Sequence, residues 1–135
     1  MKTLRNFAAV ALSGLLVTVV WARSGSPVRQ SLLRQAPPGT AAMRNPLEPR
    51  ERARRAGAKL FGRECASCHG TNGEGGLGKA PRLRQREVYE AAPGALFWVL
   101  RNGSLQRGMP SFAHLPEAQR WQIITWLQRP SIARP

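Results

Sequence analysis

Apolar and polar positions along the chain fall into blocks of different character. Positions 7–22 (FAAVALSGLLVTVVWA) hold sixteen residues without a charge, behind a basic start at Lys2 and Arg5. Such a run is the core of a secretory signal or a short membrane anchor. From 23 to 47 the apolar period disappears, and Pro27, Pro37, Pro38, Gly39 and Pro46 punctuate the chain. That composition buries too little surface to offset ordering entropy, which predicts a flexible linker. Near Asn45-Pro46 or Glu48-Pro49 a helix is expected to begin, because proline suits a first helical position. Ala53, Ala56, Gly57, Leu60 and Phe61 then recur at three and four, as far as about Gly62 or Arg63. Gly57 inside that helix costs about 1 kcal/mol relative to Ala, so close approach of another helix is expected there.

Further on, five glycines between Gly70 and Gly78 predict a loop. A short helix is expected around Glu87–Ala91, broken by Pro93-Gly94. Ala95–Arg101 (ALFWVLR) reads as another, stopped by Asn102-Gly103, with a buried strand as the rival for so short a run. Pro116 opens a last helix whose apolar set is Trp121, Ile123, Ile124, Trp126 and Leu127, stopped by Pro130. The division is therefore 1–22 anchor or signal, 23–47 linker, 48–129 an all-α domain and 130–135 a tail.

Cys65-Ala66-Ser67-Cys68-His69 carries the chemistry. C-x-x-C-H is the attachment signature of a c-type haem. On a helical turn, residues three and four apart share a face, so both thiols can reach one porphyrin and the imidazole can ligate its iron. A redox disulfide of Cys65 and Cys68 would want a preceding strand, whereas a helical segment precedes. A zinc site needs four ligands, and the chain's only Cys and His residues are Cys65, Cys68, His69 and His114. Adjacent Cys68 and His69 fit one tetrahedron poorly.

The glycine loop lacks the Lys and Ser/Thr of a phosphate loop, which excludes that mode of nucleotide binding. Its small residues would let backbone approach a large flat ligand. Pro81 follows with a carbonyl and no N–H, and Leu83 offers an apolar contact. Met109 supplies a thioether, a soft donor suited to haem iron. His114 is the competing ligand. Met43 lies in the linker, and Met1 is the third methionine.

Charge changes the picture modestly. Lys and Arg total 21 against 7 acids, a formal +14, and every acid lies between Glu48 and Glu117. No nucleic-acid motif accompanies the basic residues, and they do not interleave with stacking aromatics. A solvated basic face is one reading, and steering toward an acidic partner is the other.

Taken together, these pieces resemble a class I, mono-haem cytochrome c over about residues 48–129. They are Gly57 and Phe61, Cys65-x-x-Cys68-His69, the glycine loop to Pro81 and Leu83, Asn102-Gly103, Met109-Pro110-x-Phe112, and a final helix with Trp121 and Trp126. Leu115-Pro116 departs from the polar cap of many relatives. The resemblance implies first and last helices crossing around a covalently bound haem c. Gly57 and Phe61 would meet Trp126, Cys65 and Cys68 would hold thioethers, and His69 and Met109 would ligate iron. The Pro81 carbonyl would bond His69, with Leu83 also at the haem. It further implies one-electron transfer, as a carrier or a subunit of a respiratory or dehydrogenase complex, and no catalytic residue. A haem peroxidase or ligand sensor in which Met109 lets go is the alternative. Thioether attachment places the domain outside the cytoplasmic membrane, anchored by 1–22 or released by its cleavage. The partners implied are redox proteins with acidic docking surfaces, without nucleic acid or a small-molecule substrate.

Overall fold

The computed structural model describes residues 32–47, 50–76 and 80–128. The apolar run 7–22, the first part of the 23–47 segment, Leu77, Gly78, Pro130 and the 130–135 tail lie outside them. Among the described residues the chain is helical, with one isolated bridge between Ser104 and Met109. The helices are α1 (Pro38–Ala41), α2 (Glu51–Glu64), α3 (Ala66–His69), α4 (Arg86–Tyr89), α5 (Pro93–Asn102) and α6 (Glu117–Leu127), with a 3₁₀ turn at Leu105–Arg107. None of them is long and apolar enough to cross a membrane.

The principal contact is between α2 and α6. Along α2, Ala53, Gly57, Leu60 and Phe61 are buried, the stripe that spacings of three and four produce. On α6 the buried set is Trp121, Ile123, Ile124, Trp126 and Leu127, together with Arg120. The two helices touch at Gly57. A Cβ there would lie 1.9 Å from the Gln122 carbonyl oxygen and 3.1 Å from the Trp126 Cβ. One turn on, Phe61 meets Trp126 with ring centroids 4.2 Å apart. The glycine thus sets how closely the backbones approach, and the aromatic pair fills the next layer.

The ten residues of α5 are helical, which removes the strand alternative. Pro93 presets the first helical φ, and Leu96, Phe97, Val99 and Leu100 bury one wide face. Gly103 ends the helix at φ 67°. Phe97 stacks on Trp121 at 4.4 Å, joining α5 to α6. The expected short helix near Glu87–Ala91 forms at Arg86–Tyr89, starting one residue earlier and ending two earlier, with Val88 buried.

Residues 32–47 differ from the expected flexible linker. Ala36 is buried, Leu33 and Leu47 pack against the core, and Pro37 leads into α1. Asn45 is buried, and its Nδ2 donates to Thr125 Oγ1 at 2.9 Å and to the Trp121 carbonyl at 3.4 Å. Its Oδ1 accepts from the Leu47 N–H at 2.9 Å. A Cβ on Gly94 would sit 1.9 Å from the Thr40 carbonyl oxygen, so this strap lies tight against α5. Single anchors hold it rather than a periodic face, and its prolines prepay ordering entropy. Periodicity cannot register such a segment.

The packing predicts the outcome of three substitutions. Gly57→Ala should destabilise the haem-loaded protein by about 2 kcal/mol or more in urea unfolding, since overpacking against backbone outweighs the propensity gain. Gly62 of the same helix has nothing within 4 Å of a Cβ. Gly62→Ala should therefore stabilise by up to about 1 kcal/mol. Asn45→Ala should cost about 1–3 kcal/mol, because it removes the bonds to Thr125 and Trp121, leaves the Leu47 N–H without its acceptor and frees the strap. Tryptic cleavage after Arg44 should then appear under conditions that leave the unmodified protein intact.

Candidate haem site

Cys65 closes α2, its N–H bonded to the Phe61 carbonyl at 2.9 Å, and α3 restarts at the next residue. Within that turn Cys68 N–H and His69 N–H both donate to the Cys65 carbonyl, at 3.2 and 2.9 Å. The five residues of the motif therefore occupy one tight turn at the end of the main helix. Cys65 is buried, Cys68 exposed and His69 half-buried, and both cysteines are free. Burial, with Glu64 and Cys68 adding to it, pushes the Cys65 thiol up to about 12. Redox-active C-x-x-C pairs depend on a lowered thiol pKa, so this environment is wrong for thioredoxin-type chemistry. Among the described residues no three His, Cys, Asp or Glu side chains gather around a possible metal position.

The glycine loop folds back on the motif. Gly75 N–H donates to the His69 carbonyl at 2.9 Å, and a Cβ on Gly76 would lie 2.0 Å from the Cys68 carbonyl oxygen. The glycines that the sequence reading set against a flat ligand thus serve close backbone approach within the protein. On the loop's other side, the Gly73 carbonyl accepts from both Leu83 and Arg84 N–H, at 2.8 and 2.9 Å. That pair of bonds sets the 81–84 segment beside the motif. Pro81 then presents its carbonyl oxygen 2.9 Å from His69 Nδ1. A carbonyl only accepts, so Nδ1 carries the proton and Nε2 keeps its lone pair for a metal. Leu83 packs half-buried against the core.

Met109 sits on a separate, well-braced loop. Its N–H and carbonyl exchange bonds with Ser104 at 3.1 and 2.8 Å. Gly103 must be glycine, because its φ is 67° and a Cβ would fall 2.5 Å from the Pro110 carbonyl group. Phe112 N–H donates to the Leu100 carbonyl at 2.9 Å, and Ser111 Oγ to the Arg101 carbonyl at 2.6 Å. Met109 itself is half-buried and packed on the core. His114 is exposed, its ring 6.0 Å from that of Phe112. Met43 is exposed on the strap and lines a shallow cavity with Phe97, Trp98 and Arg101.

Two features escaped the sequence reading. Arg120, on the apolar face of α6, is buried; its Nη1 donates to the carbonyls of Phe112, Ala113 and Leu115. A charged residue beside Trp121 gives no signal of burial. The second is a set of buried donors just past Leu83. Arg84 Nη1, Gln85 Nε2 and Tyr89 OH have no hydrogen-bond partner among the described residues, nor do Arg120 Nε and Gln128 Oε1. Buried donors are ordinarily satisfied. Three within residues 84–89 suit a bound group that brings acceptors such as carboxylates. Together with two thiols, a metal-ready imidazole nitrogen and a thioether, this donor set fits a haem.

The profile of the family described as "Cytochrome C oxidase, cbb3-type, subunit III" matches residues 52–127. Among solved structures, the crystal structure of cytochrome CL from the marine methylotrophic bacterium Methylophaga aminisulfidivorans is similar, with a TM-score of 0.50 and 28% identity. The match covers 60% of this chain and 57% of that one, so the chain spans little more than half of its structural relative. No curated protein matches the chain. The matched span begins in the first turn of α2 and ends with α6, enclosing the C-x-x-C-H turn, the glycine loop and the Met109 loop. The chain therefore belongs to the cbb3-type cytochrome c oxidase subunit III family, and its helical domain is a class I c-type cytochrome that carries covalent haem c.

Proposed function

We propose that the domain is a one-electron carrier with its haem joined by thioethers to Cys65 and Cys68 and its iron held between His69 Nε2 and Met109 Sδ. The observation that carries this reading is the 2.9 Å contact of His69 Nδ1 with the Pro81 carbonyl. It orients the imidazole, fixes its tautomer and raises the basicity of Nε2, as partners of metal-bound histidines do. Met109 belongs to a loop braced at Ser104, Leu100 and Arg101, which suits a ligand that stays on. Bound haem supplies the Fe(II)/Fe(III) couple, and sulfur ligation favours a raised potential. The protein's part is to attach, orient and bury that group. Arg84, Gln85 and Tyr89 are candidates to satisfy its carboxylates.

Held by both His69 and Met109, the group would supply electron transfer rather than oxygen or peroxide chemistry. The chain would act as a carrier or as the cytochrome subunit of a respiratory or dehydrogenase complex. Export follows from the attachment chemistry, and residues 1–22 would anchor the domain at the inner membrane facing the periplasm, or be cleaved to release it. From Glu48 onward the sequence has 15 basic and 7 acidic residues. Its redox partner is accordingly a protein with an acidic docking surface, met through a small transient interface.

The full chain, produced in an exporting host that matures c-type cytochromes, should have the mass of the polypeptide plus one haem. It should be low-spin, with a far-red sulfur-to-iron band when oxidised, and Met109→Leu should abolish the band while keeping the haem. A bare-polypeptide mass, a band that survives Met109→Leu, or a high-spin ferric spectrum with tight small-ligand binding would refute the assignment. Electron exchange with an acidic redox protein should slow steeply between about 10 mM and 150 mM salt, as the screening length contracts from ~30 to ~8 Å. A rate indifferent to salt would count against the docking chemistry.

A further inference from the structure

Arg120 has no role in the function proposed so far, yet it is 7% exposed. A guanidinium cannot shed its charge to ease such burial, so its partners must compensate for lost water. Those partners are specific. Nη1 donates to the carbonyls of Phe112 at 3.4 Å, Ala113 at 3.2 Å and Leu115. The guanidinium carbon lies 4.8 Å from the centroid of Phe97, the ring that stacks on Trp121. The three acceptors lie three, four and six residues beyond Met109. Arg120 therefore gathers residues 112–115 onto the start of α6, while Leu100 and Arg101 tie Phe112 and Ser111 to α5 and Ser104 pairs with Met109 itself.

We infer that Arg120 is a positioning residue for the Met109 ligand: its charge-assisted bonds to the 112–115 carbonyls keep the loop closed and the sulfur on the iron. The inference rests on Met109 being the ligand and adds the device that keeps it there. Charge-assisted bonds are about twice as strong as neutral ones, so one side chain can dominate the closing equilibrium of a short loop. An external ligand binds iron only when the loop opens, and its apparent affinity is its intrinsic affinity scaled by the open fraction. Loosening the tie should raise that fraction without touching the porphyrin.

The test is an imidazole titration of the oxidised, haem-loaded full chain at neutral pH, following loss of the far-red band. R120M keeps volume and apolar contact with Phe97 but removes every donor. Its haem content and helical circular dichroism should match the unmodified protein, while imidazole binds about tenfold tighter. R120K, which retains a cation, should fall between the two. If R120M does not take up haem, R120K and R120Q are read in its place, with the same direction of change expected. An affinity within about twofold of the unmodified protein in every folded variant would overturn the inference, and so would failure of all three to fold, which would make Arg120 a prop of the whole domain. An unmodified protein without a far-red band refutes the ligand assignment itself, and the inference falls with it. With the band present and the affinity unmoved, only the role of Arg120 is refuted.

Discussion

The carbonyl of Pro81, 2.9 Å from His69 Nδ1, is the contact on which the site depends. It decides which imidazole nitrogen is free, and it exists only because several unrelated stretches meet there. Proline has no N–H to offer, so its carbonyl is the backbone group left for the histidine. The glycine loop brings that carbonyl into place. It returns over the C-x-x-C-H turn at Gly75 and Gly76, then pairs Gly73 with Leu83 and Arg84. A side chain at position 76 would collide with the Cys68 carbonyl, so the register of the loop and the orientation of His69 are one constraint.

The C-x-x-C-H turn and the Met109 loop depend on the helical frame in different ways. Cys65 is the residue on which α2 ends, so the position of the motif follows from the packing of α2 on α6 at Gly57, Phe61 and Trp126. The Met109 loop runs between α5 and α6. It is tied to α5 through Leu100 and Arg101 and to α6 through Arg120. One long helix contact thus positions the C-x-x-C-H turn, and a set of hydrogen bonds to backbone carbonyls positions the Met109 loop. The first is apolar and changes little with solvent. The second is polar and local.

Where the sequence was readable, a short repeating rule was at work. Ala53, Gly57, Leu60 and Phe61 mark a buried helix face by spacing, and a glycine within that face marks close approach. Cys65, Cys68 and His69 declare their chemistry because few other sites require that arrangement. Met109 stood out by its soft thioether and Pro81 by its carbonyl without an N–H, but their roles came from resemblance, since no local pattern distinguishes a ligating methionine from a packing one. Asn45, Arg120 and the buried donors at Arg84, Gln85 and Tyr89 were not legible. Asn45 acts through Thr125, distant in sequence, Arg120 through backbone carbonyls of the preceding loop, and the three donors have no partner among the described residues, so no local pattern marks any of them. The strap at 32–47 was misread for the same reason: a few isolated anchors hold it, and its proline content resembles that of an unstructured tether.

The central claim is that a histidine nitrogen and a methionine sulfur share one iron. X-ray absorption at the iron edge of the reduced, haem-loaded protein tests it directly, because sulfur and nitrogen scatter differently at bonding distance. The account predicts one sulfur scatterer beside the porphyrin and imidazole nitrogens, lost in Met109→Leu. A first shell of nitrogen and oxygen alone in the unmodified protein would contradict it.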